Sequence, residues 1–500
     1  MNGWNVGVAL PEWILSATVL LALVADARGR KQGVARLAWF GVFAATAAAA
    51  LLGLLRLDDG GKLYAFQGRY GLDAFSVVFK LLFGGTALLV LTMAGAWLER
   101  VDRGHGEFRL LALMATLGMF FACSVEDFAS LFVSLELITV CFYCLAAFKR
   151  NDERSVEAGI KYVILGGLAS AFLLLGIAFL YGATGSLEIR ALSREAVADD
   201  LGHAGASLVQ FGVLLTIVGL AFKIAAVPFQ VWTPDVYEGA ASPVTAFLSM
   251  GSKAAGFVLL LKVVRACLGP DADEGLVDAD AVRWLGLVAF MAAATLLYGN
   301  LGAMSQGNIK RLLGYSSIGH AGYVLMGVFA LSEAGFTAVV YYLMAYLFTV
   351  LGVFAVIILV NGATRSHAID DYSGLGRRAP FLALVLTVGL LSLAGVPPLG
   401  GFFGKFLVFQ AVVAKGGALA YALAFVGAFG VVVSLYYYLC VVKRLYMHEP
   451  GPDAPATIAV PASMKAVLWT CLVGMFVLGI FMRPFIALAE EAARALVAAR

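Results

Sequence analysis

Stretch after stretch of this chain is apolar for close to twenty residues or more, and that feature decides its solvent. A helix of about 20 apolar residues crosses the ~30 Å hydrocarbon core of a bilayer. Backbone in lipid must also satisfy its own hydrogen bonds, which helices do internally. The sequence therefore predicts an all-α polytopic membrane protein with about fourteen spans. They lie near 8–26, 36–55, 73–97, 108–123, 127–148, 156–181, 206–238 (interrupted), 243–267, 284–303, 311–331, 335–361, 380–413 (interrupted), 417–443 and 463–487. Composition agrees: of 500 residues 62% are hydrophobic and 13% charged, too much apolar surface for a soluble domain to hide.

The opening "MNGWNVGVALPEW" lacks the basic region of a cleavable signal, so the first span is expected to be retained. Lysine and arginine concentrate in alternate loops. Arg28, Arg30, Lys31 and Arg36 follow the first span, Arg100 and Arg103 the third, and Lys149, Arg150 and Arg154 the fifth. Lys310 and Arg311, Arg365, Arg377 and Arg378, and Lys443 and Arg444 continue the series. The positive-inside rule then puts both termini outside, although Arg56, Lys62 and Arg69 lie on the other side. No basic block suggests nucleic acid. Cys141 and Cys144 form a lone CxxC inside a span and read as helix neighbours, since no second pair completes a metal site. There is no P-loop, and "GLG" at 374–376 is a loop fragment. The chain reads as redox-inert.

Nothing divides the chain into separate domains, but parts of it repeat. "EAGIKYVILGGLASAFLLLGIAFLYGA" from Glu157 resembles "EAGFTAVVYYLMAYLFTVLGVFAVIILVNGA" from Glu333, 176 residues on. "VPFQVWTP" from Val227 is echoed by "VPPLGGFFGKF" from Val396, 169 residues on. One duplication explains both: N-terminal helices within 1–107, a first five-helix unit at 108–267, a second at 284–445, and a last span at 463–487. An odd number of spans per unit forces opposite orientations. Inverted repeats with helices interrupted at matching positions mark the ion pathway of many transporters.

Polar residues inside the spans point the same way. Pro228 lacks the N–H that would bond the Ile224 carbonyl, so backbone there must face protein or water. Pro397 and Pro398 make the matching break. A mid-span lysine costs at least ~2.5–3.5 kcal/mol on insertion scales, which makes Lys223 a functional candidate. Glu136, Lys161, Lys253 and Lys405 also sit within spans, and His320 shares a helical face with Ser316 and Tyr323. A carboxylate and an ammonium ~4 Å apart at an effective dielectric of ~20 interact by ~4 kcal/mol, enough to decide whether a proton stays. Such a row reads as a proton relay. Lys80 and Lys262 lie nearer span ends, where snorkelling is expected, and Glu157 and Glu333 at helix starts, where they offset the helix dipole.

These stretches resemble the antiporter-like membrane subunits of respiratory complex I, the NADH:quinone oxidoreductase. The resemblance rests on "SLELITVCFYCLAAFKR" (134–150), "EAGIKYVILGGLASAFLLLGIAFLYGATGS" (157–186), "AFKIAAVPFQVWTPDVYEGAASPVTAFLSMGSKAA" (221–255), "NIKRLLGYSSIGHAGY" (308–323) and "GVPPLGGFFGKFLVF" (395–409). It implies fourteen helices in a bacterial inner membrane, with proton-translocating charges at Glu136, Lys223, Lys253 and Lys405 and support from Lys161 and His320. It also implies neighbouring antiporter-like and other membrane subunits as partners. NADH, FMN, iron–sulfur clusters and quinone would be held by those partners, and no cofactor by this chain. Gln230 stands where the family often has histidine, and it cannot titrate. A long lateral amphipathic helix at the C-terminus is not expected. A cation/proton antiporter, a membrane-bound hydrogenase subunit or a non-pumping scaffold would share the same layout.

Overall fold

The computed structural model describes residues 5–56, 61–101, 104–192, 202–268, 279–452 and 454–498. Apart from one small hairpin, its elements are helices. In chain order they are α1 (Leu10–Ala27), α2 (Lys31–Arg56), α3 (Ala74–Leu98), α4 (His105–Ser124), α5 (Phe128–Ala146), α6 (Glu153–Thr184), α7 (Gly202–Ile224) and α8 (Trp232–Gly239). Then come α9 (Ser242–Phe247), a π turn at Leu248–Ser252, α10 (Lys253–Leu268), α11 (Ala279–Ala303), α12 (Ile309–Ala330) and α13 (Glu333–Thr364). The last are α14 (Leu375–Arg378), α15 (Pro380–Ala394), α16 (Gly400–Lys415), α17 (Ala418–Met447), α18 (Ala462–Ile480) and α19 (Met482–Ala498). Among the described residues thirteen helices are long and apolar enough to cross a membrane. The one expected span not among them, the twelfth at 380–413, is the pair α15 and α16, interrupted between Gly395 and Leu399.

Local chemistry sets the helix ends. The Asp73 carboxylate accepts from the Ser76 N–H while Ser76 Oγ accepts from the Asp73 N–H, a capping box at the start of α3. Asp127, Asn308 and Ser332 cap α5, α12 and α13 in the same way, each accepting a backbone N–H of the first turn. The centre of the bundle is α9–α10, α12 and α13, which are buried nearly throughout. A helix with no polar face has to be wrapped by others.

Two features differ from the sequence reading. Residues 63–72 form a hairpin, β1 (Leu63–Ala65) against β2 (Tyr70–Leu72), antiparallel with Tyr64 opposite Gly71. The last span ends at Ile480 rather than near 487. Phe481 leaves the helical conformation, and α19 then runs as a separate amphipathic helix packed on α13 and α3.

The breaks in α7–α8 and α15–α16 match residue by residue at an offset of 170. Ala225 and Gly395 both have left-handed φ, +60° and +88°. The N–H of Ala226 bonds the Ala221 carbonyl and that of Val396 the Leu391 carbonyl, closing each helix with the same six-residue wrap. Phe229 and Leu399 then both donate three residues back, to Ala226 and Val396. A second correspondence runs at 180. Thr184 and Thr364 end α6 and α13, and each hydroxyl accepts from the N–H two residues on. The N–H of Phe128 pairs with the Leu187 carbonyl, and that of Ile309, 181 residues on, with the His367 carbonyl.

Candidate functional site

α7 ends at Ile224, before Pro228, so the first break is complete when the proline arrives. The Val227 N–H is taken by Thr295 Oγ1 at 2.9 Å. Lys223 lies on the last turn of α7. Its ammonium donates to Thr139 Oγ1 at 2.7 Å and reaches the Tyr162 hydroxyl at 3.4 Å. Thr139 lies one helical turn beyond Glu136 on α5, and Glu136 accepts from Ser170 Oγ at 2.5 Å. Close packing makes this possible: a Cβ on Gly256 would lie 3.2 Å from Lys223 Cγ and 2.9 Å from Ile224 Cγ2.

Lys253 follows the π turn, a distortion that recurs at functional sites. Its ammonium donates to the Ser317 carbonyl at 2.6 Å and also meets Ser317 Oγ. That hydroxyl lies 2.9 Å from the Tyr237 hydroxyl and accepts from Tyr346 at 3.3 Å. Ser316, the next residue back on α12, meets the Tyr438 hydroxyl, which lies 3.3 Å from His320 Nε2. His320 Nδ1 is 2.5 Å from the Tyr342 hydroxyl. The shared face of Ser316 and His320 read from the sequence is therefore real, and Tyr438 is what joins them.

Beyond His320, a small cavity bounded by Tyr346, Thr349, Ser392 and Gly404 leads to Lys405. Lys405 lies over the Tyr323 ring at 4.6 Å and donates to the Ala394 carbonyl at 2.9 Å. That carbonyl is freed where α15 stops, so a lysine pairs with an opened helix end at the second break. Pro397 and Pro398 lie in that second break.

Lys223, Lys253, His320 and Lys405 are thus buried and Glu136 half-buried, and hydroxyls contact the first three and Glu136. Lys161 does not join them. It is 41% exposed on the flank of α6 and pairs with Glu157 and Asp235, both at 2.7 Å. Glu157 is an ion-pair partner rather than only a helix-start charge. Gln230 is buried, and its Oε1 has no partner among the described residues. Cys141 and Cys144 are free thiols, one buried and one exposed. The bridging tyrosines were not singled out from the sequence, because one aromatic in an apolar span reads as packing. The i, i+4 pair Tyr342 and Tyr346 was the available signal.

Two lysines expected to snorkel are buried. Lys80 is fully enclosed, paired with Glu12 at 2.8 Å and donating to Tyr70 OH at 2.7 Å. Lys262 donates to the Val125 carbonyl at 2.8 Å and meets Glu126 at 3.3 Å. Glu126 also pairs with Lys62 at 2.7 Å and Arg190 at 3.6 Å. In the same cluster burial pushes the Asp73 carboxyl up, but Lys62 and Lys262 outweigh it and hold it below the usual range. Both lysines have partners that come from distant segments near the hairpin, so neither has to reach for the interface.

Comparison with known proteins gives the same layout. The transmembrane family model of NADH:quinone oxidoreductases and Mrp antiporters matches residues 125–432. NADH-quinone oxidoreductase subunit N of Desulforamulus reducens is 38% identical over 96% of this chain and 95% of its own length. A chain of respiratory complex I from Thermus thermophilus, solved with bound aureothin, superposes with a TM-score of 0.78. It is 31% identical and covers 96% of this chain and 99% of its own. A chain of the Mrp complex from a Dietzia species has a TM-score of 0.84 at 21% identity, over 99% and 98% of the two chains, a likeness of fold.

Proposed function

Since this chain belongs to the transmembrane family of NADH:quinone oxidoreductases and Mrp antiporters, and aligns with subunit N over nearly its whole length, we propose that it is a proton-translocating membrane subunit of an NADH:quinone oxidoreductase. Quinone reduction takes place in other subunits of the assembly, and its energy drives protons along Glu136, Lys223, Lys253, His320 and Lys405. One observation carries the reading. Among the described residues no carboxylate lies within ion-pair distance of Lys223, Lys253 or Lys405. Hydroxyls and carbonyls hold them instead, so each can take or give a proton without breaking an ion pair. Lys80, locked to Glu12, has the opposite character.

The row crosses two inverted units. Support for the inversion comes from where the matching bridges lie. Asp127 and Glu188 are bridged beside the hairpin, where Tyr70 pairs with Val125. Asn308 and Ala368 are bridged beside Glu238, at the end where α6 begins near Arg154. The loop charges orient the hairpin end, with both termini, to the outside of a bacterial inner membrane.

Lys223→Ala or Glu136→Ala is expected to abolish or greatly reduce proton pumping while the complex still assembles. Proteoliposomes with a proton-sensitive dye and a parallel NADH oxidation assay measure this. Normal protons per electron in both assembled variants would refute the reading.

A further inference from the structure

α8, the eight residues after the first break, touches both lysine neighbourhoods at once. At its start the Trp232 indole stacks on Tyr162, with centroids 4.6 Å apart and planes 21° apart. The Tyr162 hydroxyl is a partner of Lys223. Five residues on, the Tyr237 hydroxyl meets Ser317 Oγ, which Lys253 also binds. A shift of α8 therefore moves a neighbour of Lys223 and a neighbour of Lys253 together.

The fastening of α8 is uneven. At its far end, Gly239 sits so close to the Arg154 carbonyl that a Cβ would come within 2.3 Å, and Lys310 donates to the Glu238 and Ala240 carbonyls. At its near end one bond holds it, the Trp232 indole N–H donating to the Phe222 carbonyl at 3.0 Å, while the Gln230 Oε1 and Thr233 Oγ1 atoms are buried with no hydrogen-bond partner among the described residues. Between them lies Asp235. Its Oδ2 takes Lys161 of α6 at 2.7 Å and its Oδ1 takes Arg311 of α12 at 2.7 Å. Each cation has a second carboxylate: Glu157 for Lys161 at 2.7 Å, and Glu238 for Arg311 at 3.1 Å. Releasing Asp235 strands neither of them.

We propose that α8 is the element that couples Lys223 to Lys253, and that Asp235 is the positioning residue that sets it, held between one cation from each half of the bundle. This rests on the proton-translocating reading above. Asp235 carries no proton of the pathway. It fixes where Trp232 and Tyr237 stand; when it lets go, Lys161 keeps Glu157 and Arg311 keeps Glu238, so α8 stays held at its Glu238 end and shifts at its Trp232 end.

The test uses the whole complex, reconstituted in proteoliposomes, with Asp235→Asn, Asp235→Glu and Lys223→Ala measured side by side. A hydrogen bond to a charged group is strong enough to bias a two-state population roughly tenfold, so pumping per assembled Asp235→Asn complex is expected to fall by about that factor. Its amount and thermal stability should stay at the parent level, and Asp235→Glu should restore pumping. Failure of Asp235→Asn to assemble overturns the proposal, because the spare carboxylates predict an intact fold. Unchanged pumping in assembled Asp235→Asn overturns it too, if Lys223→Ala has lost pumping. Normal pumping in Lys223→Ala and Glu136→Ala refutes the proton-translocating reading instead.

Discussion

Lys405 donates to the carbonyl of Ala394 at 2.9 Å, so one side chain both caps the helix before the second break and ends the buried row of basic groups. The two roles are separable. Glutamine keeps a donor for the carbonyl but cannot carry a proton, whereas leucine offers neither. Lys405→Gln is expected to leave thermal stability of the assembled complex near the parent and to stop pumping. Lys405→Leu should also lose stability, by about 1–3 kcal/mol for an unsatisfied buried carbonyl. Thermal unfolding in detergent and dye-monitored pumping read the two effects. Equal pumping by Lys405→Gln and the parent complex would remove Lys405 from the proton path.

The breaks make a paired prediction. Gly395 and Ala225 hold the same left-handed position in α15 and α7. An L-residue there costs roughly 1–2 kcal/mol. Gly395→Ala should therefore destabilise, and more so because its Cβ would lie 3.0 Å from Lys405 Cδ. Ala225→Gly should stabilise by about 1 kcal/mol, as the strain is relieved at some cost in unfolded-chain entropy. Melting temperatures moving in opposite directions would support the equivalence of the two breaks. A fall in both would contradict it.

What the sequence made visible was what acts locally. Apolar length placed the spans, proline marked both breaks, and a lysine in an apolar run stands out wherever it points. What stayed hidden depends on distant partners. Nothing near Lys80 names Glu12, which lies 68 positions earlier and closes around it only through the fold. Nothing in "WTPDVYEG" says that Asp235 will meet Lys161 and Arg311. The hairpin is silent in the sequence because Phe66 and Gln67 adopt positive φ without the Asn-Gly signal that usually announces such a turn. The end of the last span is hard to read in the sequence because Phe481, itself neither glycine nor proline, interrupts the helix. Pro484 in the first turn of α19 was the clue to a new start.

The buried pair Lys80–Glu12 should behave as a unit. Lys80→Met leaves Glu12 enclosed without its cation, which is expected to cost about 3–5 kcal/mol. Adding Glu12→Gln to Lys80→Met removes the stranded charge and should recover much of that loss. Thermal unfolding of the single and double variants gives the coupling. Additive losses would mean that the two side chains do not share one enclosed site.

His367 gives the pH prediction. It lies in the loop between α13 and α14, where its carbonyl accepts from the Ile309 N–H at 2.9 Å. Burial, with Lys310, Lys149 and Arg154 close by, holds the imidazole down at about 3. An unfolded or detached loop would titrate near ~6.5. The detached form therefore binds a proton between those values while the docked form does not, and docking weakens as pH falls through that window. Above about 6.5 both forms are neutral and no dependence remains. Hydrogen exchange at the amides of Ile309 and Ile369, whose N–H groups tie the loop to its neighbours, should lose protection from pH 7 to pH 5 beyond the intrinsic rate change. His367→Gln cannot take the proton and should hold its protection across the same range. Parallel loss in the parent and in His367→Gln would show that some other group carries the dependence.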